Sequence, residues 1–411
     1  MIRLYILMLI NKNMKISFIQ PSRNNLKYLK WSYDSIRKNQ GNHEVQICVA
    51  DDASTDGTWE WCMDMMEYDH NFSAIKNDTG KRLGHTILYD RLVNEVAKHE
   101  ICMIYHADMY LMPGAINAIE QNLKDKSIVS LTRIEPPLHP PGPEKILMDF
   151  GVEPEEFKEE ELLDWFNQPK FGDGEITEGI FAPWAFYKKD FQEIGGHDPL
   201  YAPQSKEDSD IFNRFQLNGI KFIQTWDGCV YHMTCRGSRR NTLDKAKNIY
   251  EDSPEWLAQN ERSARNFIRK WGSFVKHDDF MKPIIPPKYN VGIILGDNDL
   301  ELLKGLEPWG DNIYCDSNLR KHYITTEQSN TDFDLSKRVL PYNNEKNNEI
   351  LVTINKNTFK QQDVEYLQHL SEILANDDEL HEEELPCEFE LGNLKIEIFG
   401  LNTYEKNLIK I

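Results

Sequence analysis

The sequence lacks the features that define several classes of protein. No stretch of its 411 residues is long and apolar enough to span a membrane. Its seven cysteines include no C-x-x-C pair and no regular spacing, which argues against a structural zinc site and fits a reducing compartment. The net charge of −20 disfavours binding of the whole chain to nucleic acid or anionic membrane, although a local basic patch stays open.

The opening segment MIRLYILMLI is apolar, but it is short and has no small-residue cleavage site. Met14 begins MKISFIQPS, a pattern typical of a first strand, so we interpret residues 1–13 as an N-terminal extension. An apolar content of 40% and an aromatic content of 11% favour globular folding over the whole length. We therefore expect a cytoplasmic enzyme of two domains, because a chain of this length exceeds one ordinary core.

Short β-prone runs alternate with amphipathic helical segments from Met14 to about residue 240. KISFIQPS, VQICVADD and EICMIYHAD are predicted strands, and this alternation predicts an α/β fold with a mostly parallel sheet and helices on both faces. Residues 136–174 interrupt the pattern, and we interpret them as an insertion or an acceptor-side loop. The proline-rich segment KPIIPPKY predicts a boundary. We expect one domain over residues 14–280 and a small α+β accessory domain of unknown role over residues 281–411.

Acidic residues form three clusters along the first domain. Asp51 and Asp52 follow a predicted strand in VADDASTDGT, Asp108 follows another in YHADMYLMPG, and Glu207 and Asp208 lie in SKEDSDIFNRF. The carboxyl ends of strands are where open α/β sheets bind ligands. Carboxylates there can hold a divalent cation, contact a ribose or take a proton from a hydroxyl. The first and third clusters could instead stabilise helix N-termini, and that alternative stays open.

Six segments, in this order, resemble the family 2 glycosyltransferases, which have the GT-A fold. They are QPSRNN, ADDASTDGT, HAD, EIGGHDPLY, KEDSD and VYHMTCRGS, and the resemblance covers a little over half of the chain. It implies a metal-dependent, inverting transfer of a sugar from a nucleotide-diphospho-sugar, expected to be uridine-linked. The implied acceptor is a hydroxyl group, such as that of a glycan. The resemblance does not extend to the C-terminal domain.

The resemblance assigns one group of residues to the nucleotide. Asp52 is expected to contact the base or the ribose, with Asp51 supporting it. The loop of Pro21, Ser22 and Arg23 is expected to wall the nucleotide pocket. Arg23 could stack on the base or approach a phosphate, and it could equally be an ordinary surface arginine.

A second group is assigned to the metal ion and the diphosphate. HAD stands where the family carries its D-x-D motif, so Asp108 is the expected ligand of Mn²⁺ or Mg²⁺. His106 replaces the first acid, and it could contact the ribose, ligate the metal or do neither. His232 is a candidate further ligand through a neutral imidazole. Arg236 and Arg239 could close over the diphosphate, or belong to a solvated basic loop.

The resemblance makes Asp208 the base that deprotonates the acceptor hydroxyl, with Glu207 holding the acceptor or the loop and Asp210 as the fallback. Two other functions stay open. A nucleotidyltransferase would need a glycine-rich loop with a lysine, which QPSRNN does not offer. A catalytically decayed glycan-binding or scaffold protein would explain His106. A nucleic-acid acceptor is disfavoured by the negative net charge, although it is left open.

Overall fold

The structure is a computed structural model that describes the chain except residues 1–12, 169–173, 235–251, 297–298, 379 and 381–383. The chain forms two compact units, each built from several segments. The first unit comprises Met1–Pro203, Phe215–Leu257 and His277–Pro283, and the second comprises Gln204–Arg214, Ala258–Lys276 and Ile284–Ile411. The domain boundaries that we expect from the sequence stay a prediction.

The first unit is built around a large sheet. Its strands are β1 (Lys15–Ser22), β2 (Glu44–Asp51), β3 (Phe72–Lys76), β4 (Ile101–Ile104), β5 (Met109–Leu111), β6 (Ser127–Glu135), β7 (Lys145–Leu147), β8 (Ile176–Thr177), β9 (Trp184–Tyr187) and β10 (Lys221–His232). The order is β3-β2-β1-β4-β9-β6-β10-β5, with β7 beside β6 and β8 beside β10. In this order β3, β2, β1 and β4 are parallel neighbours, and β6 is parallel to β10. Strands β9 and β5 run antiparallel to their neighbours.

Helices connect these strands. They are α1 (Leu26–Asn39), α2 (Thr58–Tyr68), α3 (His85–Arg91), α4 (Ala115–Asn122), α5 (Glu159–Phe166) and α6 (Lys188–Glu193), and a π-helical turn (Leu92–Val96) extends α3. All residues of β1 after Lys15 are buried, as expected of a central parallel strand that is covered on both faces. The predicted α/β class with a mostly parallel sheet is confirmed.

The second unit contains a separate sheet of β11 (Val291–Leu295), β12 (Asn312–Cys315), β13 (Val339–Pro341), β14 (Ile350–Ile354), β15 (Cys387–Leu391) and β16 (Leu394–Ile398). Its order is β13-β12-β11-β14-β16-β15, in which the first four strands are parallel and the last two form an antiparallel hairpin. Apolar side chains from both ends of this sheet share one buried core. The predicted second sheet of the C-terminal region is therefore present.

Seven helices complete the chain within the described residues. They are α7 (Glu207–Leu217), α8 (Pro254–Trp271), α9 (Leu300–Leu306), α10 (Ser317–Glu327), α11 (Leu335–Arg338), α12 (Gln361–Gln368) and α13 (Leu370–Ala375). Among the helices that the structure describes, none combines the length and the hydropathy that a membrane crossing requires.

Candidate active site

The carboxyl ends of the parallel strands meet at one edge of the first unit's sheet. Ser22, the last residue of β1, pairs with Asp51, the last residue of β2. His232, at the end of β10, pairs with Met109 of β5, which directly follows Asp108. Strand pairing therefore brings together residues that lie far apart in the sequence.

Three of the predicted residues form a compact group of ligand atoms. One atom each from His106, Asp108 and His232 lies within 4.8 Å of the other two. The Nε2 atom of His232 is 3.4 Å from Asp108 Oδ1, and both side chains are largely buried. Two imidazoles and a carboxylate suit a divalent first-row transition ion. The geometry thus fits the predicted cation site, and the ligand roles stay a prediction.

Sequence reasoning missed Glu135, which touches this group. Its Oε1 atom lies 2.8 Å from the other ring nitrogen of His232, Nδ1, and its carboxyl group is 1% exposed. Glu135 ends β6, the parallel neighbour of β10. The signal was present, because Glu135 ends SIVSLTRIE, an apolar and β-branched run typical of a strand, as the other acids end theirs.

The carboxylate of Asp52 is hydrogen-bonded to other groups of the protein. Its carboxylate accepts hydrogen bonds from the Nδ2 of Asn77 at 2.7 Å and from the backbone N–H groups of Leu83 and Gly84 at 2.9 Å each. These contacts hold the loop that precedes α3. Gly84 has a φ of +82°, and a Cβ there would collide with the backbone of Pro203, so the loop passes too closely for another residue. The nucleotide contact of Asp52 stays a prediction.

The rest of the expected nucleotide loop lies at the same edge. Pro21 and Ser22 end β1 and are buried, whereas Arg23 is exposed and donates from Nη1 to the carbonyl oxygen of Asp52 at 2.6 Å. Within the described part of the chain, the Ser22 hydroxyl and Asp51 Oδ2 are buried without a hydrogen-bond partner. Buried polar atoms normally have partners, so these two oxygens are polar groups at this edge that the protein itself does not satisfy.

A row of aromatic rings in contact extends from His106 of the cation group. His85, at the start of α3, stacks against His106 with 6.5 Å between ring centroids, and Tyr89 lies 5.7 Å from His85. Tyr89 also stacks on His197, whose Nδ1 is 2.7 Å from Asp90 Oδ1. His85 was also missed from the sequence, and its lone position at a helix start gave no signal. The row thus connects α3 to the cation group through ring contacts.

Glu207 and Asp208 begin α7 in the second unit. Glu207 is 7% exposed, and its Oε2 atom has no hydrogen-bond partner among the described residues. Asp208 is half-buried. Burial and the charge of Asp208 raise the pKa of Glu207 to about 8. Asp208 is therefore the more accessible carboxylate of the two.

Asp210, the fallback base, is fully buried and makes hydrogen bonds and ion pairs with other side chains. It accepts hydrogen bonds from Arg214 Nε at 2.7 Å and Trp271 Nε1 at 2.9 Å, and Lys270 Nζ lies at 2.7 Å. Burial would raise the pKa of Asp210, but Arg214 and Lys270 hold it below its ordinary value. These contacts argue against Asp210 as a base.

Arg236 and Arg239 lie outside the described residues, so their expected phosphate contacts stay a prediction.

Residues 17–195 match the model of the family described as glycosyl transferase family 2. The match covers less than half of the chain. The resemblance expected from the sequence is thereby confirmed for the region that holds Ser22, Asp51, Asp52, Asp108 and Glu135.

One curated relative is the abequosyltransferase RfbV of Salmonella typhimurium, which is 29% identical over 119 residues, or 29% of this chain and 35% of the relative. The chain thus spans about a third of the length of this curated relative. A solved structure, the mannosyltransferase PcManGT from Pyrobaculum calidifontis in complex with GDP-Man and Mn²⁺, is 15% identical with a TM-score of 0.39, over 56% of this chain and 62% of that one. Another, S. aureus TarS 1-349 in complex with UDP, is 16% identical with a TM-score of 0.39, over 62% and 75%.

Burial and neighbouring charges shift the pKa values of the His106, Asp108 and His232 side chains. Burial alone would lower the pKa of His232, but the carboxylates of Asp108 and Glu135 raise it to about 9. Burial lowers the pKa of His106 to about 3, so this ring is neutral and offers a lone pair. Burial would raise the pKa of Asp108, but His232 and His106 hold it below its ordinary value. Buried Asp108 thus has a positive partner in the protonated His232 ring, and a bound cation would replace that proton.

Proposed function

We propose that the protein is a metal-dependent, inverting glycosyltransferase that uses a nucleotide-diphospho-sugar, with uridine as the nucleoside, and a hydroxyl acceptor such as a glycan. The match of residues 17–195 to the model of glycosyl transferase family 2 supports sugar transfer. The observation that supports the mechanism most is the approach of His106, Asp108 and His232 to within 4.8 Å at the edge of the sheet.

These three side chains would hold the cation. A carboxylate suits both Mg²⁺ and Mn²⁺, whereas two imidazoles favour Mn²⁺, because nitrogen ligands suit transition ions better than Mg²⁺. The bound ion would offset the negative charge of the departing nucleoside diphosphate. Arg236 and Arg239 remain part of this proposal as further cationic groups for the phosphates.

The nucleoside would lie against the ends of β1 and β2. The unpartnered oxygens of Ser22 and Asp51 could accept hydrogen bonds from a uracil N–H or a ribose hydroxyl, which supports the expected role of this edge. Asp52 would contribute to nucleoside binding indirectly, by holding the loop that precedes α3. Any direct contact with the nucleoside would use the carboxylate lone pairs that are not already hydrogen-bonded to this loop.

Asp208 would act as the general base toward the acceptor hydroxyl, with Glu207 beside it. A positioned base of this kind contributes about 10²–10⁴-fold to a rate. The cysteines of the described residues are free thiols, which supports a cytoplasmic location.

The test is release of nucleoside diphosphate from a panel of uridine- and guanosine-linked sugars, with Mn²⁺, with Mg²⁺ and with a chelator. We expect release from a uridine-linked donor with Mn²⁺, and loss of that release in Asp108→Asn. Asp64→Asn is a matched control, because Asp64 is an exposed acid on α2 in the same unit. Release that survives both the chelator and Asp108→Asn would refute the metal dependence. Absence of release from every donor would refute the proposed activity.

A further inference from the structure

We propose that Glu135 is a positioning residue that orients the imidazole of His232 as a metal ligand. The inference rests on the proposed function, because it requires the cation site. Glu135 Oε1 is 2.8 Å from His232 Nδ1, and Asp108 Oδ1 is 3.4 Å from His232 Nε2. The two ring nitrogens thus face two different carboxylates, and only the Nε2 side belongs to the group of three ligand atoms.

Strand pairing sets the position of Glu135. Ile134 of β6 pairs with Tyr231 of β10, so the next residues, Glu135 and His232, leave neighbouring parallel strands side by side. A side chain at this place needs no loop rearrangement to reach the ring. The contact is therefore part of the sheet and does not depend on the surrounding loops.

Two cations keep the Glu135 carboxylate in place. Arg133 donates from Nη1 to Oε1 at 3.0 Å, and Lys145 Nζ lies 3.5 Å from Oε2. The Arg133 guanidinium in turn lies over the ring of Phe181, 3.9 Å from its centroid. Oε1 is thus shared by Arg133 and His232, whereas Oε2 has no hydrogen-bond partner among the described residues and only the ion pair with Lys145.

This arrangement has a consequence for metal binding. A hydrogen bond from Nδ1–H to a carboxylate fixes the tautomer in which Nε2 carries the lone pair, and it makes that nitrogen a stronger ligand. Removing such a partner typically weakens metal binding by about 10–100-fold. The alternative is that Glu135 only neutralises the two buried cations.

Glu144 separates these two roles. It lies 3.5 Å from Arg133 Nη2 and 3.7 Å from Lys145 Nζ, so it belongs to the same ion-pair network. No hydrogen bond or ion pair joins it to His232 among the described residues. Glu144→Gln therefore removes one negative charge from the network and leaves the imidazole contact in place.

The experiment is calorimetric titration of the full chain with Mn²⁺ alone, without any sugar donor, for the wild type, Glu135→Leu and Glu144→Gln. Glu135→Leu removes the acceptor of the His232 Nδ1–H as well as one negative charge, whereas Glu144→Gln removes a charge only. We expect Glu135→Leu to raise the dissociation constant about 10–100-fold and Glu144→Gln to change it less than about threefold. Thermal unfolding in a chelator checks that each variant is folded. If Glu135→Leu does not fold, Glu135→Asp replaces it, because this change keeps the charge but withdraws the carboxylate from the ring, and the same weakening is expected.

The outcomes distinguish this inference from the proposed function. Equal Mn²⁺ affinity in the wild type and in Glu135→Leu would overturn the positioning role and leave sugar transfer untouched. Equal weakening in Glu135→Leu and Glu144→Gln would also overturn it, in favour of a network effect. A wild-type protein that transfers sugar but binds no Mn²⁺ would overturn the inference together with the metal part of the proposed function.

Discussion

Asp208 and Asp210 stand two residues apart on α7, and the structure predicts opposite consequences of changing them. Asp210→Asn removes the charge that compensates Arg214 and Lys270, both of which are buried. The amide can still accept the hydrogen bond from Trp271, so the loss is mainly electrostatic. Asp208→Asn changes a half-buried side chain, and we expect it to affect turnover and not folding.

Removing one partner of a buried ion pair costs about 3–5 kcal/mol, because it leaves an uncompensated charge. One kcal/mol shifts the unfolding temperature of a unit of 150–250 residues by about 2–4 °C. We therefore expect Asp210→Asn to lower the unfolding temperature by about 6–20 °C. Asp208→Asn should change it by no more than about 2 °C and reduce turnover by about 10²–10⁴-fold, the range for a lost general base.

Thermal unfolding followed by circular dichroism, together with nucleoside diphosphate release at a temperature where both variants are folded, measures the two effects separately. The folded fraction of Asp210→Asn should retain turnover. An Asp210→Asn protein with wild-type stability and no turnover would refute the assignment, and it would make Asp210 the base.

Two further predictions concern stability. The raised pKa of Glu207 means that the folded state binds this proton more tightly than the unfolded chain, so stability falls as pH rises from about 4.5 to about 8. Glu207→Gln should therefore stabilise the protein at pH 8 and not at pH 4, as measured by thermal unfolding at both pH values, and a pH-independent effect would contradict this. Asp52→Asn should cost about 2–3 kcal/mol in urea denaturation, because one of the N–H donors of Leu83 and Gly84 then faces an amide. Wild-type stability of Asp52→Asn would show that the loop does not depend on this carboxylate.

The secondary structure was largely predictable, because its signals are local. KISFIQPS is an apolar run that ends in polar turn residues, and β1 occupies Lys15–Ser22. The alternation of strands and helices also predicted the α/β class correctly. The approach of Asp108 and His232 was expected only through the family resemblance, because the register of β10 against β5 that creates it has no signature in either segment.

The sequence by itself determined which carboxylates end strands or begin helices, since periodicity, turn residues and strand ends are properties of neighbouring residues. Only the tertiary structure decided what each carboxylate contacts. Glu135 contacts His232 because β6 pairs with β10. The Asp52 carboxylate accepts hydrogen bonds because the loop that precedes α3 passes beside it. Asp210 is committed because Lys270 and Trp271 of α8 pack against it. Such contacts join residues far apart in the chain, and their free energy depends on burial and distance, which local spacing does not encode.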